Sequence, residues 1–218
     1  MNNKNPHCIC TWEDEENCEG CALKGRLHCH LNKKYSIIFM IPFLIASIPA
    51  FIGLILLDYP LNLISTLVWI GYMVFFFLIW EPPILCAHCP FYAEGDTKIL
   101  KCSINYGFFK TSKFKPGPTT IWEKIQFLVG ANIMFLIPIV FLAVGHKWIC
   151  LGLCVFGIVL WYITLQLKIC TDCINFSCVL NRVPKEIRDE FLKKNPEMYE
   201  AWKASGYVCD DEEKEEEK

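Results

Sequence analysis

The sequence predicts an all-α membrane protein, with four transmembrane helices forming two tight hairpins and with Cys-rich segments before, between and after them. Three observations carry this: four long apolar runs, two turns too short to hold a domain, and a one-sided distribution of Lys and Arg. The runs are 35–57, 61–80, 125–145 and 148–167, and none contains Lys, Arg, Asp or Glu. At 1.5 Å rise per residue, a run of about 20 residues crosses a hydrocarbon core of about 30 Å. A chain of 218 residues is too short to bury four such helices in protein. Tyr35, Trp80, Trp122 and Trp148 lie at or beside run ends, where amphipathic rings suit the membrane–water boundary.

Asp58-Tyr59-Pro60 joins the first pair of runs and His146-Lys147 joins the second. The chain therefore divides into a Cys/His-rich segment 1–34, a hairpin 35–80, a Cys-rich loop 81–124, a second hairpin 125–167, a Cys-containing amphipathic tail 168–209 and an acidic, disordered end 210–218. Lys and Arg crowd the first segment, the central loop and the tail, whereas the two turns hold only Lys147. By the positive-inside rule both termini and the central loop face the cytoplasm, and the protein is a multi-pass protein of the cytoplasmic membrane. In the tail, Ile187, Phe191, Leu192, Met198 and Trp202 recur among charges. That spacing reads as one or two amphipathic helices, broken at Asn195-Pro196, that lie on the membrane or cover the cysteines.

The composition, 54% hydrophobic with net charge −2, gives no basis for a nucleic-acid partner. The 14 cysteines would suggest a disulfide framework in a small secreted protein, but the topology places all except Cys150 and Cys154 on the cytoplasmic side, where thiols stay reduced. Three Cys-x-x-Cys pairs recur: Cys18 with Cys21, Cys86 with Cys89, and Cys170 with Cys173. A two-residue gap lets one turn aim both sulfurs at one soft metal ion. The candidate metal ligands are Cys8, Cys10, Cys18, Cys21, Cys29, Cys86, His88, Cys89, Cys102, Cys170, Cys173 and Cys178. Two metals fit: an iron–sulfur cluster, which takes four thiolates at varied spacing, and zinc, which takes four thiolates or three with an imidazole. His88 reads equally as a ligand or a surface residue. Cys150 and Cys154, one helical turn apart, read as packing residues. No ionisable residue lies deep in a run, which argues against an ion carrier, and no pair of mid-helix His would hold a haem. A quinone, needing few polar groups, is the candidate small-molecule partner beside the bilayer itself.

The layout is an internal echo: each hairpin is followed by Cys-x-x-Cys and a third Cys, Cys102 in the first half and Cys178 in the second. Four helices with cytoplasmic Cys pairs after the second and the fourth resemble, in architecture, the membrane iron–sulfur proteins of ferredoxin type that pass electrons from quinol in periplasmic nitrate and nitrous-oxide reduction. That family carries Cys-x3-Cys-Pro where this chain has Cys86-x2-Cys89-Pro90 and Cys170-x2-Cys173. It also carries ferredoxin motifs that this chain lacks, and the N-terminal Cys/His segment here has no counterpart in it. The resemblance implies an electron-transfer subunit linking a cytoplasmic or membrane protein partner to the membrane. Two other classes stay open: a zinc-stapled membrane scaffold that docks a partner, and a thiol redox enzyme or metal sensor using Cys86 and Cys89. No residue is singled out as a catalytic base or nucleophile.

Overall fold

The computed structural model describes residues 4–13 and 15–210. The disordered end expected at 210–218 lies, apart from Asp210, outside the described residues. All regular elements are helical, and among the described residues the only β-pairing is two isolated bridges, Lys24 with Leu27 and Ile99 with Phe109.

Four helices are long and apolar enough to cross a membrane. We label their α-helical parts α1 (Lys33–Ile55), α2 (Leu61–Phe75), α3 (Ile121–Val144) and α4 (Trp148–Thr164); the second and fourth spans extend over Leu61–His88 and Trp148–Ile169. Their outer faces expose Ile37, Ile41, Leu67, Leu136, Phe156 and many other large apolar side chains. A lipid solvent accounts for that pattern and water does not. α1 starts at Lys33 because the Asn32 side chain accepts the Lys34 backbone N–H at 3.0 Å. α3 starts four residues ahead of its charge-free run. Thr120 and Glu123 form a capping box there, so the charges of Glu123 and Lys124 fall in the first turn.

Small residues set the closest approaches. α1 packs most extensively against α4. At their crossing a Cβ on Gly157 would stand 2.4 Å from the Ala46 backbone nitrogen. Further along, Gly53 of α1 leaves room for Cys150 and Leu142. Such small-residue contacts are how helices gain dispersion energy where lipid removes the hydrophobic drive. Between α2 and α3 the bond is polar. Pro138 has no N–H to give the carbonyl of Met134 four residues before it, and Trp69 Nε1 donates to that carbonyl at 2.9 Å instead. Tyr72 donates its hydroxyl to the Gly130 carbonyl at 2.9 Å in the same interface. Trp69→Phe, which keeps an aromatic ring and removes the donor, is expected to cost about 1 kcal/mol. Thermal unfolding in detergent should show a lower midpoint for it than for the parent protein.

At one end of the bundle the three polar segments fold into a single cap. Ile9, Leu23 and Leu27 of the first segment, Phe91, Tyr92 and Leu100 of the central loop, and Ile174, Phe176 and Val183 of the tail share one core. Two short helices, α5 (Lys185–Lys193) and α6 (Pro196–Ala204), turn Phe191, Leu192, Met198 and Trp202 into it. Their apolar faces thus cover the cysteine-bearing loops. The segments are also tied by hydrogen bonds: Trp12 Nε1 to the Pro90 carbonyl at 2.9 Å, and the His28 N–H to the Asp172 carbonyl at 2.8 Å.

Candidate metal centre

The second helix of each hairpin delivers its cysteines in the same way. α2 widens after Phe75 into a π-turn over Phe76–Trp80, continues through Glu81–Ile84 and ends in a 3-10 turn over Cys86–His88. α4 widens after Thr164 into a π-turn over Leu165–Ile169, and Cys170 follows directly. The sequence echo is therefore also a structural one.

The two loops bring their thiols together. A cavity of about 160 Å³ lies between the cap and the inner ends of the helices, and Cys86, Cys89 and Cys102 from one loop and Cys170, Cys173 and Cys178 from the other all line it. Its floor runs down between the helices, past Phe39, Phe76, Met134 and Trp161. All 14 cysteines are free thiols.

Backbone amides are aimed at the sulfurs. The Ile104 N–H donates to Cys102 Sγ at 3.5 Å, and the Asn105 amide also donates to it. The Phe91 amide stands by Cys89, the Asn175 amide by Cys173 and the Leu180 amide by Cys178, each placed to favour a thiolate, while the Asn181 N–H donates to the Cys178 carbonyl at 3.0 Å. In each case the donor sits two or three residues beyond the cysteine. That turn presents donors to a sulfur carrying negative charge, which is what a metal-bound thiolate is. Asn105 adds a side-chain donor, with Nδ2 at 3.4 Å from Cys86 Sγ and 3.1 Å from Glu81 Oε1.

Electrostatics favour the neutral thiols while no cation is near. Burial pushes Cys89 well above its ordinary value and raises Cys102. Burial likewise carries Cys170, Cys173 and Cys178 up to about 12. Neighbouring thiols add to the rise, Cys102 and Cys173 on Cys89 and Cys178 on Cys173. A bound cation reverses that balance, because it stabilises every thiolate around it. Among the described residues no three His, Cys, Asp or Glu side chains already form a metal-binding group; the thiols surround a cavity without meeting at a point.

The other expected ligands are placed as follows. Cys10, Cys18, Cys21 and Cys29 do not line the cavity and gather in the first segment. Cys8 is exposed, with φ at 49°, in the left-handed region. His88 is buried and stands apart from the sulfurs: its Nδ1 donates to the Gly117 carbonyl at 2.6 Å and its Nε2 faces Glu123 Oε1 at 3.3 Å. Lys115 donates to the same carboxylate at 2.8 Å and to the Pro83 carbonyl at 3.0 Å, so His88, Lys115 and Glu123 pin the central loop to the start of α3. Cys154 is buried in the bundle, as a packing residue would be.

Three polar residues at the cavity escaped the sequence reading. Glu81 is buried, with Oε1 held by Asn105 and Oε2 without a partner. Asn175 is buried with Oδ1 unpartnered, and Trp161 with Nε1 unpartnered. An acid closing an apolar run five residues before a Cys-x-x-Cys was the available signal for Glu81; the other two had none. No family model, curated protein or solved structure matches this chain.

Proposed function

We propose that this protein is an electron-transfer subunit of the cytoplasmic membrane, with an iron–sulfur cluster held by thiols of the central cavity. The observation that supports this most is the meeting of six cysteines from two separate loops on one buried cavity that opens between membrane helices. A cluster takes four thiolates, and N–H donors to its sulfurs help set its potential. Cys89, Cys102, Cys173 and Cys178 each have a backbone amide placed beside the sulfur, whereas Cys86 has only the Asn105 side chain, so the first four are the favoured ligands and Cys86 the alternate. When bound, the cluster supplies one-electron transfer. The chain's own part is to bury it, to orient it through the two π-turns and to shield it from water with α5 and α6.

The cap is the face for a soluble redox partner. Its Lys-rich segments suit the cytoplasmic side, since the opposite turns carry only Lys147. A quinone is the candidate membrane carrier. The cavity floor is apolar and aromatic, and Trp161 offers there a buried N–H without an acceptor, as a quinone carbonyl would require.

A purely structural zinc scaffold is the second reading, favoured by the way the cysteines sit where three distant segments join. A thiol redox enzyme fits less well. It needs an exposed thiolate of low pKa, and burial drives Cys89 the other way. Anaerobic purification in detergent, with iron and sulfide analysis and an absorption spectrum, tests the proposal. The expected sample is brown, contains iron and sulfide, and bleaches with dithionite. A colourless, iron-free sample ends the electron-transfer reading.

A further inference from the structure

Four cysteines of the first segment gather away from the cavity, although among the described residues they do not already meet as a metal-binding group. The Cys18-Glu19-Gly20-Cys21 turn closes with the Cys21 N–H on the Cys18 carbonyl at 3.1 Å, and Gly20 takes φ of 82°, which a side chain would strain. Beyond it the Lys24 N–H donates to the Cys21 carbonyl at 3.0 Å, and the Leu23 and Lys24 amides stand where they favour a thiolate on Cys21. This is the same arrangement of donors that serves the cavity cysteines. Cys10 and Cys29 come to the same place: Cys29 lies close enough to feel the charges of Cys10, Cys18 and Cys21, and Cys10 those of Cys18 and Cys21. Cys10, Cys21 and Cys29 pack on the cap core from one side.

The tail supplies the surround. Lys194 Nζ donates to Cys21 Sγ at 3.1 Å. Asn195, fully buried, donates Nδ2 to Cys10 Sγ at 3.4 Å and accepts the Cys10 N–H on Oδ1 at 2.7 Å. His30 Nε2 stands 3.6 Å from Cys18 Sγ. Two sulfurs are thus held by donors from the link between α5 and α6, at the far end of the chain.

We propose that Cys10, Cys18, Cys21 and Cys29 bind one zinc ion in a closed tetrahedral site separate from the cavity, and that this ion fastens the first segment to the tail. The donor set is four thiolates, with two in a Cys-x-x-Cys turn, which is a structural zinc pattern. A tetrathiolate zinc carries net negative charge, and the Lys194 ammonium is already placed to offset it. The four cysteines are partly exposed and none lines the cavity between the membrane helices, which suits an ion that does no redox work. Cys8 is exposed and is left out of the set, and His30, with Nε2 at 3.6 Å from Cys18 Sγ, is assigned as a neighbour of that sulfur and not as a ligand.

Zinc and iron are measured on the full-length protein in detergent, for the parent, Cys18→Ser with Cys21→Ser, Cys8→Ser, His30→Ala, and Cys89→Ser with Cys173→Ser. Cobalt(II) is then loaded in place of zinc and its thiolate charge-transfer absorption recorded. The expected result is about one zinc per chain, lost only in the Cys18/Cys21 variant, with tetrahedral thiolate cobalt spectra in all the others. Zinc that survives in the Cys18/Cys21 variant, zinc lost on His30→Ala, or iron lost in place of zinc from the Cys18/Cys21 variant would overturn the assignment. A parent protein without iron that still carries this zinc would end the cavity proposal and leave the present one standing. Elution of the Cys18/Cys21 variant at the parent's volume in gel filtration separates lost ligands from lost fold.

Discussion

Serine at Cys89 or at Cys173 is expected to strip the proposed iron–sulfur chromophore from the protein. A serine hydroxyl occupies nearly the same space but does not ionise as a thiol does, so it fails as a soft-metal ligand. Each of these cysteines sits where its own loop faces the other: the charges of Cys102 and Cys173 both act on Cys89, and those of Cys178 and Cys102 on Cys173. Losing either therefore removes a ligand from one loop and the constraint that holds the second loop to it. Iron and sulfide should fall to background in both variants, while Cys150→Ser, at the opposite end of the bundle, retains the parent's iron. Full iron and sulfide in the Cys89 and Cys173 variants would place the cluster outside the cavity.

Leucine at Gly157 should do the greatest damage of any change in the bundle. Its Cβ would meet the Ala46 backbone nitrogen at 2.4 Å and the Ala46 Cα at 2.5 Å. A flexible side chain can move aside from such a contact, but a helix backbone cannot, so α1 and α4 must separate along their whole contact. Overpacking of this kind costs about 3 kcal/mol or more. The effect should also reach the proposed cluster, because α4 delivers Cys170 and Cys173 while α1 carries the end of the first segment. Thermal unfolding and iron content should fall together. Gly152→Leu is the control: a Cβ there meets nothing within 4 Å, so stability and iron should match the parent.

The helical architecture was legible because a bilayer imposes a simple demand. Every backbone group in the hydrocarbon must be paired internally, so an apolar run of spanning length has one outcome. The ends were less legible. Charges at Glu123 and Lys124 marked 125 as the start of the third run, yet a capping box from Thr120 to Glu123 carries the helix back to Ile121. The second run ended at Trp80 because Glu81 follows it, but the helix widens into a π-turn and continues through Glu81–Ile84, past Pro82 and Pro83. The thiols themselves could be picked out by type and spacing, whereas their partition could not. Cys102 comes to Cys89 and Cys173 through folds of two loops separated by a whole hairpin, and no local pattern encodes that meeting. Asn105, Asn175 and Asn195 were invisible for the same reason: an asparagine that satisfies a sulfur or a loop carbonyl looks in sequence like any polar loop residue.

The cap has one core drawn from three stretches of chain, with a membrane hairpin between each pair. That layout sets an order of events during synthesis. The first segment leaves the ribosome with its cysteines and its apolar residues Ile9, Leu23 and Leu27, yet Phe191 and Leu192, which complete their packing, follow only after the last membrane helix. The early thiols therefore spend the whole of membrane insertion unprotected. Loading of metal belongs at the end of biogenesis, when α5 and α6 close, and a chain truncated before Lys185 would be inserted but never sealed.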